Sequence, residues 1–330
     1  MSFNSALLIT LLIPASVWTQ EVVTIDAMSQ KPLSSDTEVL AFSVDGKGRD
    51  VTLLSPKPPM GMAPGPVSAK LAIWENGQIA HEHAVGGMLP APIALGSSHL
   101  LFVSTDSKGI AGPVPPTRLM DIASGQVVTI FDDFRPLEAT FGPDELVTVG
   151  FSTAGVPELR VAYGPAFGTK RSYPLPPGLL QGPLRHILSA GSYRSVVMLN
   201  MVEASFIVLD YSGGSLRVGN VRSLGGREIS KSKDWPGGSG RPGTRRILVL
   251  AQASLANGGI IALLSPYRRE DGGFRVAEYS ATGSEVRSWR LKIPEAGTKI
   301  DLRPSTVAWT ADQIVISTSS GLKRSYRRPS

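Results

Sequence analysis

The residues with the most chemistry per position are His81-Glu82-His83. In an extended chain alternate side chains share a face, so the two imidazoles sit side by side at a spacing that suits a metal ion if a third ligand joins them. The chain has only four histidines, and neither His99 nor His186 is placed next to the pair in sequence. The spacing is therefore read as a solvent-facing pair, and no metal ligand is assigned. Asp132-Asp133 and Glu270-Asp271 are acidic doublets, but neighbouring carboxylates diverge in a strand or turn and do not make an acid–base couple. There is no Gly-x-Ser-x-Gly elbow, no phosphate loop and no His-Glu-x-x-His. Cysteine is absent, which removes disulfides, thiolate metal sites and a thiol nucleophile. No catalytic residue and no cofactor is expected.

Ligand contact is a different matter. Tyr267-Arg268-Arg269-Glu270-Asp271 is a compact charged run with an aromatic beside it, and Trp235 lies in a glycine-rich insertion. Asp106 and Lys108 open a further proline-rich stretch. Aromatic rings next to arginine stack on sugars or bases and pair with carboxylate or phosphate, so these eight residues are the candidate ligand contacts. The same composition describes a solvated loop. Lys323, Arg324, Arg327 and Arg328 at the C-terminal end are read as a solubilising strand edge.

The elements that hold these residues are short strands. Leu119–Asp133, LMDIASGQVVTIFDD, reads as an apolar strand, a tight turn at Ala123-Ser124-Gly125 and a second strand. The pattern recurs as four-strand units. The first unit has strands at 38–44, 50–54, 70–74 and 78–85, and its last hairpin turns at Glu75-Asn76-Gly77, the strongest short hairpin signal. The second unit occupies 92–131, the third 137–173, the fourth 186–221 and the fifth 247–291. Turn glycines at Gly77, Gly125, Gly168, Gly214 and Gly283 are separated by 48, 43, 46 and 69 residues. A unit of about 45 residues fits propeller blades. The long interval contains the polar insertion 225–245.

A sixth unit supplies strands at 305–310, 313–318 and 322–327, and the chain ends three strands in. Glu21–Asp26, EVVTID, is a lone alternating strand able to complete it. The expected fold is an all-β, six-bladed β-propeller of four-stranded antiparallel blades, closed by pairing the N-terminal strand with the last blade, which hides both open edges. The expected organisation is one domain over 20–330 with a flexible insertion near 225–245.

The strand and turn motifs Ile207–Val218, IVLDYSGGSLRV, and Val276–Trp289, VAEYSATGSEVRSW, resemble those of bacterial six-bladed propellers of the NHL and TolB-like group. The resemblance spans about residues 21–328 and implies fold only. Some propellers of this shape are calcium-dependent lactonases; their metal ligands do not transfer onto positions here.

Propeller topology sorts the loops. Turns joining first to second and third to fourth strands share one face, and here they are short. The other connections share the opposite face and hold 55–69, 106–117, 225–245 and 265–273. Binding residues concentrate on loops carried by a rigid scaffold, so the long-loop face is the expected functional face.

Ala6–Trp18 is an apolar run too short to span a bilayer, and it is broken by Pro14. It reads as a signal peptide within residues 1–19, cut after Ala15 or between Thr19 and Gln20. A retained anchor or an N-terminal strand is the alternative, because residues 1–19 hold no lysine or arginine. Export without cysteine suits a bacterial periplasmic or secreted protein. The net charge is +6, but it is not gathered into one helix or run. Nucleic acid is not an expected partner, no membrane span is expected after signal cleavage, and a monomer is expected. The chain is thus expected to be an exported, non-enzymatic scaffold that binds a protein or glycan on its long-loop face. The alternative is a hydrolase, lactonase or lyase with a metal or carboxylates at the central channel.

Overall fold

The structure, a computed structural model, has only strands, turns and bends as assigned elements among the described residues. It describes residues 23–32, 37–45, 47–56, 69–85, 88–105, 115–142, 144–164, 166–180, 186–190, 194–200, 205–220, 222–223, 247–254, 259–266, 275–280, 284–292, 304–309, 313–318 and 322–327. No helix among them is long and apolar enough to cross a membrane.

The described residues begin with β1 (Val23–Pro32), and blades follow in sequence order. The first blade contains β2 (Thr37–Val44), β3 (Asp50–Pro56), β4 (Ala69–Glu75) and β5 (Gln78–Val85). The second has β6 (Met88–Leu95), β7 (His99–Thr105), β8 (Thr117–Asp121) and β9 (Val127–Phe131). The third has β10 (Phe134–Phe141), β11 (Glu145–Ser152), β12 (Pro157–Tyr163) and β13 (Thr169–Pro174). The fourth has β14 (His186–Ala190), β15 (Ser195–Asn200) and β16 (Ser205–Asp210). Its outer strand comes in two pieces, β17 (Arg217–Val218) and β18 (Arg222–Ser223), both paired to β16. The remaining strands are β19 (Ile247–Ser254), β20 (Ile260–Pro266), β21 (Arg275–Tyr279), β22 (Glu285–Lys292), β23 (Pro304–Trp309), β24 (Gln313–Thr318) and β25 (Leu322–Arg327). They join with β1 into one eight-stranded sheet ordered β19-β20-β21-β22-β1-β25-β24-β23.

Within each blade the neighbours are antiparallel. Burial falls steeply from the second strand to the fourth. In β3 and β11 almost every residue is buried, whereas β5 and β13 are mostly exposed. This gradient explains why the second strands read as continuous apolar runs: blades cover both their faces, and no polar alternation is left to see. The hydrophobic core lies between blades as a series of layers. Leu53, Leu71 and Ile73 of the first blade pack with Leu100 and Phe102 of the second. Leu101 and Leu119 pack with Phe134 and Leu146. Val147 and Val161 pack with Val196 and Leu209. Val197 and Phe206 pack with Ile260 and Ala277. Val39 and Phe42 pack with Val315 of β24. Each fully buried leucine in these layers contributes about 1.5–3 kcal/mol by leaving water. The innermost strands β2, β6, β10, β14, β19 and β23 touch in that order, and β23 touches β2.

The N-terminal strand differs from expectation in an informative way. Val23–Asp26 runs parallel to Trp289–Lys292 of β22, while Ala27–Pro32 runs antiparallel to β25, with a bulge between Ala27 and Ser29. The residues that complete the last sheet are thus those after the alternating segment. Arg324 is a second correction: instead of sitting at a solvated edge it is buried, in the middle of a strand with neighbours on both sides. The outer strand expected over 215–221 is interrupted, because Gly219 turns its N–H to the Val208 carbonyl between the two short pieces.

A candidate binding cavity on the short-turn face

The described residues form a cavity of about 520 Å³ where the first blade meets β24. The turn from β2 to β3 contributes Lys47, Gly48 and Arg49, flanked by Val44 and Asp50. The β4–β5 hairpin contributes Trp74, Glu75, Asn76 and Gly77, and β24 contributes Gln313 and Val315. Both turns belong to the short-loop class, so this cavity opens on the face opposite the one expected to bind.

Local sequence explains the shape. Asn76 and Gly77 take φ of 52° and 81°, the left-handed pair of a two-residue hairpin, and so fix Glu75 beside the neighbouring turn. In that turn Asp45 acts as an internal template: its Oδ1 accepts the N–H groups of Lys47 and Arg49, each at 2.9 Å. Its Oδ2 accepts Arg49 Nε at 2.7 Å, and Arg49 Nη1 donates to Glu75 Oε1 at 2.7 Å. The guanidinium is clamped between two carboxylates from two turns. Burial alone pushes the Asp45 carboxyl up, but the hydrogen bonds from Arg49 and Lys47 outweigh it and hold Asp45 below the usual carboxylate range. The Glu75 and Asp45 bonds raise the Arg49 guanidinium further above its ordinary value. Trp74 is half-buried; its Nε1 donates to the buried Thr52 hydroxyl at 2.7 Å, and it packs on Val39, Phe42 and Val315. The indole is locked while it lines the cavity.

Two further polar clusters lie on the same face, at corresponding blade junctions. His99 pairs across from Asp121 in the sheet. Its Nδ1 lies 2.8 Å from Ser98 Oγ and its Nε2 lies 3.8 Å from Asp121 Oδ2. The ring sits against Phe141 and Phe167 of the next blade. Burial lowers the His99 imidazole below its ordinary value in spite of Asp121. Asp121 Oδ1 accepts both the N–H and the hydroxyl of Ser124 at 2.7 Å and so anchors its own turn, while its Oδ2, at 3.8 Å, is beyond hydrogen-bond reach of His99. The third cluster is the most deeply buried. Glu145 accepts a hydrogen bond from the Tyr211 hydroxyl of the fourth blade at 2.6 Å, and both residues are buried. Burial pushes the Glu145 carboxyl up, more than the Tyr211 bond and the Arg194 charge pull it down. Tyr163, opposite Glu145 in the sheet, is pushed up to about 12, first by burial and then by Tyr173.

The sequence-derived candidates fare unevenly. Asp106, Lys108, Trp235, Tyr267, Arg268, Arg269, Glu270 and Asp271 all lie outside the described residues, as do the leader and the insertion 225–245. His81 is exposed and His83 half-buried, its ring packed under Gly125 of the second blade. No group of three His, Cys, Asp or Glu among the described residues is arranged to hold a metal ion. Of the acidic doublet, Asp133 is taken by Arg160 at 2.5 and 3.0 Å, and that guanidinium lies over the Phe134 ring. Sequence reasoning missed Arg49 and Trp74. The signal was present in Asp45-Gly-Lys-Gly-Arg49 and in Trp74-Glu-Asn-Gly, each read only as a turn; that the two turns meet was not visible locally.

No protein-family model matches the sequence, and no curated protein matches it. Solved structures do. Over 92% of this chain and 95% of its own, regucalcin from Agrobacterium tumefaciens str. C58, a calcium-binding protein, is similar at 11% identity with a TM-score of 0.49. Virginiamycin B lyase from Staphylococcus aureus is similar over 91% of this chain and 99% of its own, at 8% identity and a TM-score of 0.47. The WD40 beta propeller domain of Doa1 is similar over 92% and 97%, at 10% identity and a TM-score of 0.40. By its own succession of four-stranded antiparallel sheets the chain is a β-propeller. Likeness at these identities and TM-scores says nothing of activity, which has to be argued from the propeller's own residues.

Proposed function

We propose that this propeller is an exported, non-enzymatic scaffold that binds a protein or glycan, with six blades closed by β1. The unbroken circuit of innermost strands and the pairing of Ala27–Pro32 with β25 support that blade count. The observation that carries the binding reading is the cavity between the β2–β3 turn, the β4–β5 hairpin and β24. Arg49 is held there by Glu75 and Asp45 beside a fixed indole, which suits recognition by preorganised contacts. A second surface is proposed on the long-loop face from loop length and composition, with Trp235, Tyr267, Arg268, Arg269, Glu270, Asp271, Asp106 and Lys108 as contacts. The apolar Ala6–Trp18 run supports export.

The test is a thermal-unfolding screen of the chain from Gln20 against envelope glycans and polypeptides, with and without deletion of residues 230–243. A ligand shift lost on deletion places recognition on the long-loop face; a shift that survives deletion and is lost in Glu75→Gln places it in the cavity. Absence of any shift across both ligand classes overturns the scaffold reading.

The alternative, a hydrolase, lactonase or lyase, draws on Glu145. A buried carboxyl with a raised pKa next to tyrosines is the chemistry of a general acid. Its position between blades, with the Tyr211 hydroxyl already on it, favours a structural role. A melting temperature that falls with chelator and recovers with calcium would reverse the ranking.

A further inference from the structure

We infer that the cavity at the first-blade junction takes an uncharged saccharide. The inference rests on the scaffold reading and names its ligand class.

Charge is the first argument. The chain carries +6 overall, but the lining has two cationic side chains, Lys47 and Arg49, and two anionic ones, Asp50 and Glu75. Asp45, directly behind them, offsets Arg49 as well. An anion such as phosphate or an acidic polysaccharide meets no net positive field here. A metal ion meets no group of ligands among the described residues.

Chemistry of the lining is the second. Carboxylate, carboxamide, guanidinium and ammonium groups stand round one locked indole, so donors and acceptors alternate within a small space. Hydroxyl groups, each both donor and acceptor, satisfy such a set, and the C–H face of a sugar ring packs on an indole. Arg49 Nη2 has no acceptor among the described residues, while its Nε and Nη1 are fixed by Asp45 and Glu75. The group is therefore held in place with a donor to spare. A cavity of about 520 Å³ falls within the ~300–1,000 Å³ of small-molecule sites and admits a mono- or disaccharide.

Backbone geometry argues against strand addition by a peptide. An extended peptide binds by adding to a sheet edge. In the β2–β3 turn the Asp45 N–H is already on the Arg49 carbonyl and the Gly48 N–H on the Asp45 carbonyl.

The test titrates the chain from Gln20 with glucose, galactose, N-acetylglucosamine, maltose and cellobiose. Glucuronic acid and glucosamine serve as charged comparators. Binding is read by calorimetry and by tryptophan emission. The expected result is saturable binding of at least one neutral sugar, with the matching charged sugar at least tenfold weaker. Glu75→Gln and Lys47→Ala should each weaken it at least fivefold without moving the melting temperature of the unliganded protein. The emission change should vanish in Trp74→Phe. Preference for a charged sugar, or neutral-sugar binding untouched by all three substitutions, overturns this site and leaves the scaffold reading standing. No sugar binding at all overturns the inference. Polypeptide ligands from the screen above then decide whether the scaffold reading falls with it.

Discussion

Replacing Gly150 with alanine isolates how tightly an inner blade strand is pressed against its neighbour. Gly150 lies in β11, fully covered, opposite Pro136 of β10, where the pairing shifts by a bulge between Pro136 and Glu138. A methyl at Gly150 would stand 2.1 Å from the Arg135 carbonyl oxygen, 2.8 Å from Pro136 Cα and 2.9 Å from the Arg135 carbonyl carbon. Ordinary contact begins near 3.4 Å, so the first overlap exceeds an ångström, and every obstructing atom is backbone. Overpacking of a well-filled site costs about 1–3 kcal/mol when side chains can yield. With backbone in the way the upper end applies, about 3 kcal/mol. At roughly 2 °C per kcal/mol for a chain of this size, the melting temperature should fall by about 6 °C.

Two other glycines separate steric overlap from backbone strain. Gly155 has open space around its hydrogen but φ of +75°, so Gly155→Ala should cost about 1–2 kcal/mol from left-handed strain alone. Gly168 has open space and no such φ, so Gly168→Ala should leave stability unchanged or raise it by up to about 1 kcal/mol. Differential scanning calorimetry of the three variants reads the order directly. A Gly150→Ala protein that melts at or above Gly155→Ala would refute the close approach of β10 and β11.

Tyr211→Phe leaves the buried Glu145 carboxylate without its 2.6 Å donor and should cost about 1.5–3 kcal/mol in urea unfolding, whereas a change under 0.5 kcal/mol refutes a direct bond. Because burial raises the Glu145 pKa above its unfolded value near 4.5, the wild type is favoured below that pH and loses stability as pH rises through the folded value. Glu145→Gln should therefore gain on the wild type with rising pH in that window, and parallel urea midpoints across pH 4–8 would contradict the shift. Arg160 holds Asp133 through two nitrogens and Glu158 through Nε at 2.8 Å, over the Phe134 ring at 4.5 Å. Arg160→Lys keeps the charge but loses the fork, and should destabilise by about 1 kcal/mol; full stability in the lysine variant would show that charge alone suffices.

Most strands were legible because the blade pattern is local. Gln78–Val85, Ser195–Asn200, Ser205–Asp210, Gln313–Thr318 and Leu322–Arg327 stand where hydrophobic runs and turn residues put them. Gly77, Gly125 and Gly214 do take positive φ, as turn glycines should. Gly168 does not: at that turn the strained residue is Phe167, at φ 51°, held there by burial against His99 and Phe141. The second half of β1, Ala27–Pro32, was illegible because AMSQKP neither alternates nor favours strand; its partner β25 supplies the reason to extend. The first residues of β6, Met88–Ala91, were missed for a related reason, a proline among irregular pairings. The cavity was illegible for a deeper one. Gln313 and Val315 reach Arg49 and Trp74 only through the return of the chain to its start, and no local pattern encodes that meeting.

That return sets an order in time. β1, the first of the described strands, pairs at two places, parallel beside β22 and antiparallel beside β25, and both partners lie more than 250 residues further along the chain. Blades one to four can pair their own strands as they emerge, since each hairpin is short and local. β1 has neither of its sheet partners until β22 and β25 are made. In its second half, Ala27–Pro32, low strand propensity makes the segment a poor partner for any other edge in the meantime. The feature that made Ala27–Pro32 hard to read also makes it depend on β25 for its extended form.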